Sequence, residues 1–130
     1  MTLGLRKGFK GTIDGMGRST QLDSQAAAIT AVAYTTTGAI GEADNVVDLN
    51  STTPKIEATI PRPRPGRILV ITQIDGGTAG HTVTLTQGTF DGTNNTATLN
   101  AQYEALVLLG ISDKRFLILK NYGSVSLSAV

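Results

Sequence analysis

The sequence is short of the residues that carry most enzyme and metal chemistry. Its 130 residues include no cysteine, no tryptophan and a single histidine. The absence of cysteine excludes disulfides and thiolate metal sites. Charged residues make up 16% of the chain, against about 25% in ordinary soluble domains. The net charge of +1 favours neither nucleic acid nor an anionic membrane as a partner, and we expect neither.

Long apolar segments are also missing. Residues 1–25 carry basic groups but no apolar core typical of a cleaved signal, and AAAITAVA at 26–33 is too short to cross a bilayer. We therefore expect a protein that is not exported through a cleaved signal and does not span a membrane.

Few residues offer catalytic chemistry. His81 is the single histidine, Asp75 lies nearby in the sequence, and no G-x-S-x-G turn exists. Because His81 opens a strand after a glycine turn, we interpret it as a surface or edge histidine. DGTNN (91–95) has oxygen-bearing side chains but lacks the other ligands of a calcium loop, so a hairpin turn is predicted. We expect no enzyme activity, no cofactor and no metal.

The second half of the chain, from Gly66 to Val130, is typical of β-structure. Apolar residues alternate with polar ones in short runs that end at Gly, Asn or Asp. HTVTLTQ (81–87) alternates most cleanly, with Val83 and Leu85 predicted to point inward. We expect strands within 67–74, 81–87, 96–100, 103–110, 115–120 and 124–130.

The first half divides into an arm and weaker strands. Glycines recur through residues 1–25 and disfavour both helix and strand. AITAVAYT, NVVDLN and KIEATI are predicted strands. Turns every eight to twelve residues favour a sandwich or barrel. We predict an all-β fold: an extended arm (1–25) and an antiparallel, jelly-roll-like β-sandwich (26–130).

Three predicted strands are apolar on both faces. They contain Ile68–Ile71, Leu106–Leu109 and Phe116–Leu119. An antiparallel strand that meets water on one face normally alternates. We expect the second face to be covered by the N-terminal strands, by the arm or by a neighbouring subunit, and we predict a homotrimer built around Leu69, Leu106, Leu108, Leu117 and Leu119.

The segment PRPRPG (61–66) predicts a rigid, extended connector, because each proline fixes φ and restricts the residue before it. Arg62 and Arg64, with Arg67, form a local basic patch in the sequence. The patch is either solvated charge beside a stiff connector or a contact strip for an acidic neighbour or phosphate.

The order of these segments resembles a β-module of tailed-bacteriophage virion proteins. The resemblance rests on Pro65-Gly66, the isoleucine-rich strand before Asp75-Gly76-Gly77, the T-V-T-L strand, Asp91-Gly92, and the strands at 101–109 and 116–119. It covers about the last half of the chain and transfers no catalytic residue.

Within that class, the size of the chain and its glycine-rich basic arm resemble a capsid decoration (cementing) protein. The resemblance implies a virion protein made in the host cytoplasm, with the major capsid protein and two further copies of itself as partners. Arm and connector residues are the predicted contacts: Arg6, Lys7, Phe9, Lys10, Arg18, Arg62 and Arg64. A tail-fibre or baseplate adaptor is the alternative, and a sugar-binding module is a third possibility.

Overall fold

The computed structural model describes residues 30–130, in which Ala31–Val130 forms one compact unit. This part of the chain is all β, without a helix. Its ten strands are β1 (Ala31–Tyr34), β2 (Gly38–Ala39), β3 (Val46–Leu49), β4 (Glu57–Ile60), β5 (Ile68–Gln73), β6 (His81–Leu85), β7 (Thr96–Leu99), β8 (Ala105–Gly110), β9 (Phe116–Tyr122) and β10 (Ser126–Ser128).

The strands form two five-stranded sheets. The first sheet has the order β9-β8-β5-β3-β1, and the second has the order β10-β7-β6-β4-β2. From β1 to β6 the chain alternates between the sheets, placing each new strand beside the one two positions earlier. The predicted strands are confirmed within the described residues, with ends shifted by a few residues, while the two-residue β2 was not predicted.

The predicted antiparallel pairing is wrong for half of the sheet contacts. β1/β3, β3/β5, β2/β4 and β4/β6 are parallel. The pairs β5/β8, β8/β9, β6/β7 and β7/β10 are antiparallel. Parallel neighbours require a crossover, and here a strand of the opposite sheet supplies it in place of a helix. These parallel pairs do not support a jelly-roll order.

Buried side chains of both sheets join one hydrophobic cluster. In β5 and β8 every second residue is buried, so Leu69, Ile71, Leu106 and Leu108 point into the cluster. The second sheet contributes inward residues by the same alternation: Ala58, Ile60, Val83, Leu85, Ala97 and Leu99. Period-two alternation therefore assigns one face of each sheet to the core.

Backbone hydrogen bonds join the connector 61–66 and Arg67 to the end of β8. Gly66 N–H donates to the Gly110 carbonyl at 2.7 Å, and Gly110 N–H donates to the Arg67 carbonyl at 2.7 Å. A Cβ at Gly110 would lie 1.8 Å from the Arg64 carbonyl oxygen. Only glycine allows the backbones to approach this closely, so β8 fixes the position of the connector.

Candidate functional site

The outer face of the first sheet carries a group of apolar residues. They are Ile68 and Val70 on β5, Val107 and Leu109 on β8, and Leu117 and Leu119 on β9, and we call these six residues the apolar face. Asp48, Thr72 and Lys120 point outward from the same sheet beside them. Leu109 stands opposite both Ile68 and Leu117, while Val107 stands opposite Val70. Directly opposed side chains lie about 5 Å apart, so the six side chains form a continuous surface.

Three members of the apolar face are strongly exposed within the described structure. Ile68 is 52% exposed, Leu117 is 40% exposed, and Leu119, at the bulge in the β8/β9 pairing, is 50% exposed. Contiguous apolar surface rimmed by polar residues is typical of contact sites for another molecule.

The strands before Pro61 do not cover this face. β1 and β3 extend the first sheet sideways, and β2 and β4 join the second sheet. The five leucines predicted to build a trimer therefore divide into two groups. Leu69, Leu106 and Leu108 are fully buried in the core, whereas Leu117 and Leu119 point outward and are available for contact.

The outer face of the second sheet carries hydroxyl groups. Six outward residues, which we call the hydroxyl face, are Thr59, Thr82, Thr84, Thr98, Ser126 and Ser128, and Glu57 points outward beside Thr82. Thr84 stands opposite both Thr59 and Thr96, and the Oγ1 atoms of Thr84 and Thr96 lie 3.1 Å apart. Hydroxyl groups on such a surface can hydrogen-bond to water and to one another.

The histidine lies inside the protein and not at its surface. His81 and Asp75 are both buried, and His81 Nε2 lies 2.9 Å from Asp75 Oδ2. Ile56 N–H donates to His81 Nδ1 at 2.9 Å. Since Nδ1 accepts this bond, the ring proton resides on Nε2 and is donated to Asp75. The interpretation of His81 as a surface or edge residue is therefore wrong.

Asp75 is held by several donors. Its carboxylate accepts N–H groups from Ser51 and Gly77, both at 2.9 Å, besides the His81 ring. Burial by itself raises the pKa of Asp75, but these hydrogen bonds outweigh burial and hold the pKa below its ordinary value of 3.8. The pair joins the loop after β5 to the start of β6 and the residue before β4, which indicates a structural role.

A signal for this pair was present in the sequence. His81, Val83 and Leu85 are alternate residues of β6 and therefore point to the same face of the sheet. Val83 and Leu85 were predicted to point inward. The same alternation places His81 inward. A buried imidazole needs hydrogen-bond partners, but the identity of those partners depends on which loops the fold brings to this end.

The three arginines of the connector region occupy different environments. Arg67 is buried, and its Nη2 donates to the carbonyls of Gly41 and Asp44 at 2.8 and 2.9 Å. Burial lowers the pKa of Arg67, while Asp44 opposes that shift. Arg64 pairs with Glu42 at the surface. Arg62 is exposed and makes no hydrogen bond or ion pair with another side chain among residues 30–130.

The remaining predicted contacts, Arg6, Lys7, Phe9, Lys10 and Arg18, lie outside the described residues, as does the predicted arm at 1–25.

The Asp91 loop is a turn, because Oδ1 accepts N–H groups from Thr93 and Asn94. The Asn94 N–H is the main cause of the lowered pKa of Asp91.

Residues 30–130 hold no group of three His, Cys, Asp or Glu side chains arranged for a metal ion. Within the same range there is no helix with the length and apolar character needed to cross a membrane.

No protein family model matches this chain, and comparisons with curated proteins and with solved structures also give no match. Among the described residues, the exposed features are the apolar face and the hydroxyl face, and the Asp75–His81 pair is buried away from solvent.

Proposed function

We propose that this chain is a structural protein of a tailed-phage virion, which binds and stabilises the exterior of the capsid as a decoration protein. In this proposal the two sheets face each other as a sandwich, since their buried side chains join one cluster. Residues 1–25 act as a docking arm. The virion assignment is supported by the sequence resemblance of residues 66–130, and the binding role is supported by the apolar face.

The observation that carries the binding role is the contrast between the two outer faces. The first sheet exposes Ile68, Leu117 and Leu119 to solvent, whereas the second sheet exposes threonine and serine. Burying a leucine side chain contributes about 2 kcal/mol relative to leaving it in water. A partner that covers the apolar face gains this contribution at several positions.

A decoration role uses such contacts through repetition. A contact that exists only when neighbouring subunits are in place stabilises the assembled shell by mass action, and many copies act together through multivalency. We propose a homotrimer with Leu117 and Leu119 at the subunit or capsid contact, because closed symmetry covers apolar surface without forming an open filament.

The test is co-sedimentation of the purified protein with shells assembled from the major capsid protein of the same phage. The double variant Leu117→Asp/Leu119→Asp places two charges on the apolar face. Its matched control, Ser126→Asp/Ser128→Asp, places two charges at alternate exposed positions of the edge strand β10, on the hydroxyl face. We expect the first variant to bind shells at least about thirtyfold more weakly, which corresponds to about 2 kcal/mol, and the control to bind nearly as well as the parent.

Two results would contradict the proposal. One is a parent protein that does not sediment with shells; the other is a folded Leu117→Asp/Leu119→Asp variant that binds as well as the control. Sedimentation with tail fibres or baseplates in place of shells would favour the adaptor alternative. A monomer mass in light scattering at micromolar concentration would contradict a stable trimer in solution.

Removing residues 1–25 tests the arm separately. We expect the remaining chain to fold, because Ala31–Val130 is a compact unit with its own core, and to occupy fewer sites on the shell. Unchanged occupancy would remove the arm from the proposal and leave the apolar face as the contact.

A further inference from the structure

A cleft lies beside the connector, and none of the residues of the apolar face lines it. Its volume is about 380 Å³, and it is lined by Arg62, Gln87, Gly88, Asp113 and Lys114. Three separate segments meet there: the connector after β4, the loop after β6 and the turn between β8 and β9. Binding pockets for small ligands typically measure about 300–1,000 Å³, so the volume of the cleft lies within the range of known ligand pockets.

Backbone hydrogen bonds hold the walls of the cleft in place. Gln87 N–H donates to the Pro61 carbonyl at 3.1 Å, and Thr89 N–H donates to the Lys114 carbonyl at 2.9 Å. Gly88, at φ 88°, lies between these two attachments. A Cβ there would lie 2.7 Å from the Lys114 carbonyl oxygen and 2.8 Å from Pro63 Cδ. The segments therefore touch at a position that requires glycine, and the cleft is formed before any ligand arrives.

The side chains of the cleft have unused binding capacity. Within residues 30–130, the side chains of Arg62, Lys114 and Gln87 make no hydrogen bond or ion pair. Among the other surface cations of this part of the chain, Arg64 pairs with Glu42 and Lys55 lies 3.2 Å from Glu57, whereas Arg115 and Lys120 make no ion pair within residues 30–130 but do not line the cleft. Two cations at one cavity attract an anion, and arginine favours carboxylates because its planar fork matches their geometry.

We infer that this cleft binds an acidic peptide segment of a partner protein. Arg62 and Lys114 contact carboxylate side chains, the Gln87 amide contacts the peptide backbone, and the Asp113 carboxylate accepts a peptide N–H. A single small ion would leave Gln87 and Asp113 unused and most of the volume empty. This inference rests on the proposed role of the chain as a binding protein and identifies the chemistry of one partner surface.

The test titrates the full-length, isotope-labelled protein with the peptide Ac-EGEGE-NH2 and follows backbone amide resonances by NMR. We expect saturable shifts at Gln87, Gly88 and Lys114, and none with the neutral peptide Ac-QGQGQ-NH2. Arg62→Gln and Lys114→Gln should each weaken binding about two- to fivefold, in the range of exposed ion pairs. The control Lys55→Gln makes the same change in net charge and should alter binding by less than about twofold, since screening limits distant charges.

Inorganic phosphate serves as the second probe. Phosphate that shifts the same resonances with an equal or higher affinity would overturn the peptide assignment and leave an anion site. Shifts absent from the cleft, or weakened equally by Lys55→Gln, would overturn the site itself. The titration uses the isolated protein and exposed residues, so its failure leaves the shell-binding test unaffected, and failure of shell binding does not alter the titration.

Discussion

The outer faces of the two sheets are built on the same alternation but differ in chemistry. In β5 and β8 of the first sheet, five of the six outward positions hold apolar residues, namely Ile68, Val70, Ala105, Val107 and Leu109, and the sixth holds Thr72. In β6 of the second sheet, the outward positions hold Thr82 and Thr84. Both sheets place their inward residues in one core, so stability of the core does not require apolar residues outside. This contrast is the basis of our proposal that the first sheet contacts another molecule through its outer face.

The largest expected effect separates the inner and outer faces of the first sheet. Leu108 on β8 is fully buried, and Leu117 on the neighbouring strand points outward. We expect Leu108→Asp to unfold the domain, because an unpaired charge in the core is among the changes that exceed about 4 kcal/mol. Leu117→Asp should change the free energy of unfolding by less than about 1 kcal/mol.

Urea unfolding followed by circular dichroism measures both variants. If Leu117→Asp were as destabilising as Leu108→Asp, Leu117 would belong to the core and the apolar face would lose its outer strand. A folded Leu108→Asp variant would contradict the assignment of β8 to the core.

An effect of intermediate size is expected for the buried carboxylate. In Asp75→Asn, an NH2 group replaces one carboxylate oxygen, and the charge that strengthens the bonds from Ser51, Gly77 and His81 is lost. Hydrogen bonds to a charged group contribute about 1.5–3 kcal/mol, so we expect a loss of about 2 kcal/mol at neutral pH. The control Asp48→Asn changes an outward residue of β3 and should alter stability by less than about 0.5 kcal/mol.

The pH dependence of Asp75 has a definite sign. Its pKa in the folded protein lies below 3.8, so the unfolded chain takes up the proton first as the pH falls. The stabilisation is fully present above pH 3.8 and is lost as the pH falls through the folded pKa. The difference in the free energy of unfolding between the parent and Asp75→Asn should therefore be largest near neutral pH and should shrink below pH 3.8. An equal difference at pH 7 and pH 2 would contradict this role of the charge.

The smallest effects are expected from exchanging residues between the outer faces. Thr84→Val removes a hydroxyl that lies 3.1 Å from the Thr96 hydroxyl, and Val70→Thr introduces one at the matching outward position of β5. Neither position is in the core, so we expect each change in unfolding free energy to stay below about 1 kcal/mol. Thermal unfolding measures both. A loss above that range for Val70→Thr would show that Val70 is packed as core.

Local pattern predicted the strands and their faces in most of the described chain. Val83 and Leu85 were predicted to point inward and are buried. Alternation is a property of each strand alone, and it is readable because burial on one face selects the residue type at every second position. The same rule applied to His81 would have placed it inside.

Alternation within a strand does not predict which strands pair or in which direction they run. Parallel contacts such as β3 with β5 arise because the intervening strand joins the opposite sheet. Nothing within Val46–Leu49 or Ile68–Gln73 specifies the direction of its neighbour, since both orders satisfy the same inward residues.

The candidate sites also combine features that the local pattern predicts with features that depend on the tertiary structure. The strands that are apolar on both faces predicted a second face covered by the N-terminal strands, the arm or a neighbouring subunit. The N-terminal strands do not cover it, and Ile68, Leu117 and Leu119 are exposed. The three arginines of the connector region, in contrast, occupy different environments. Arg67 is buried, Arg64 is paired with Glu42, and Arg62 lines the cleft. Their sequence spacing is uniform, but their burial depends on loops from elsewhere in the chain.

The sequence by itself determined the β class, the turns and the inward positions of most strands, because these follow from contacts between near neighbours and from the period of the strand. The tertiary structure alone decided the parallel pairs, the Asp75–His81 contact and the meeting of Arg62 with Lys114. These features join segments that are far apart in the chain, and their free energy comes from contacts that exist only after the two sheets have assembled.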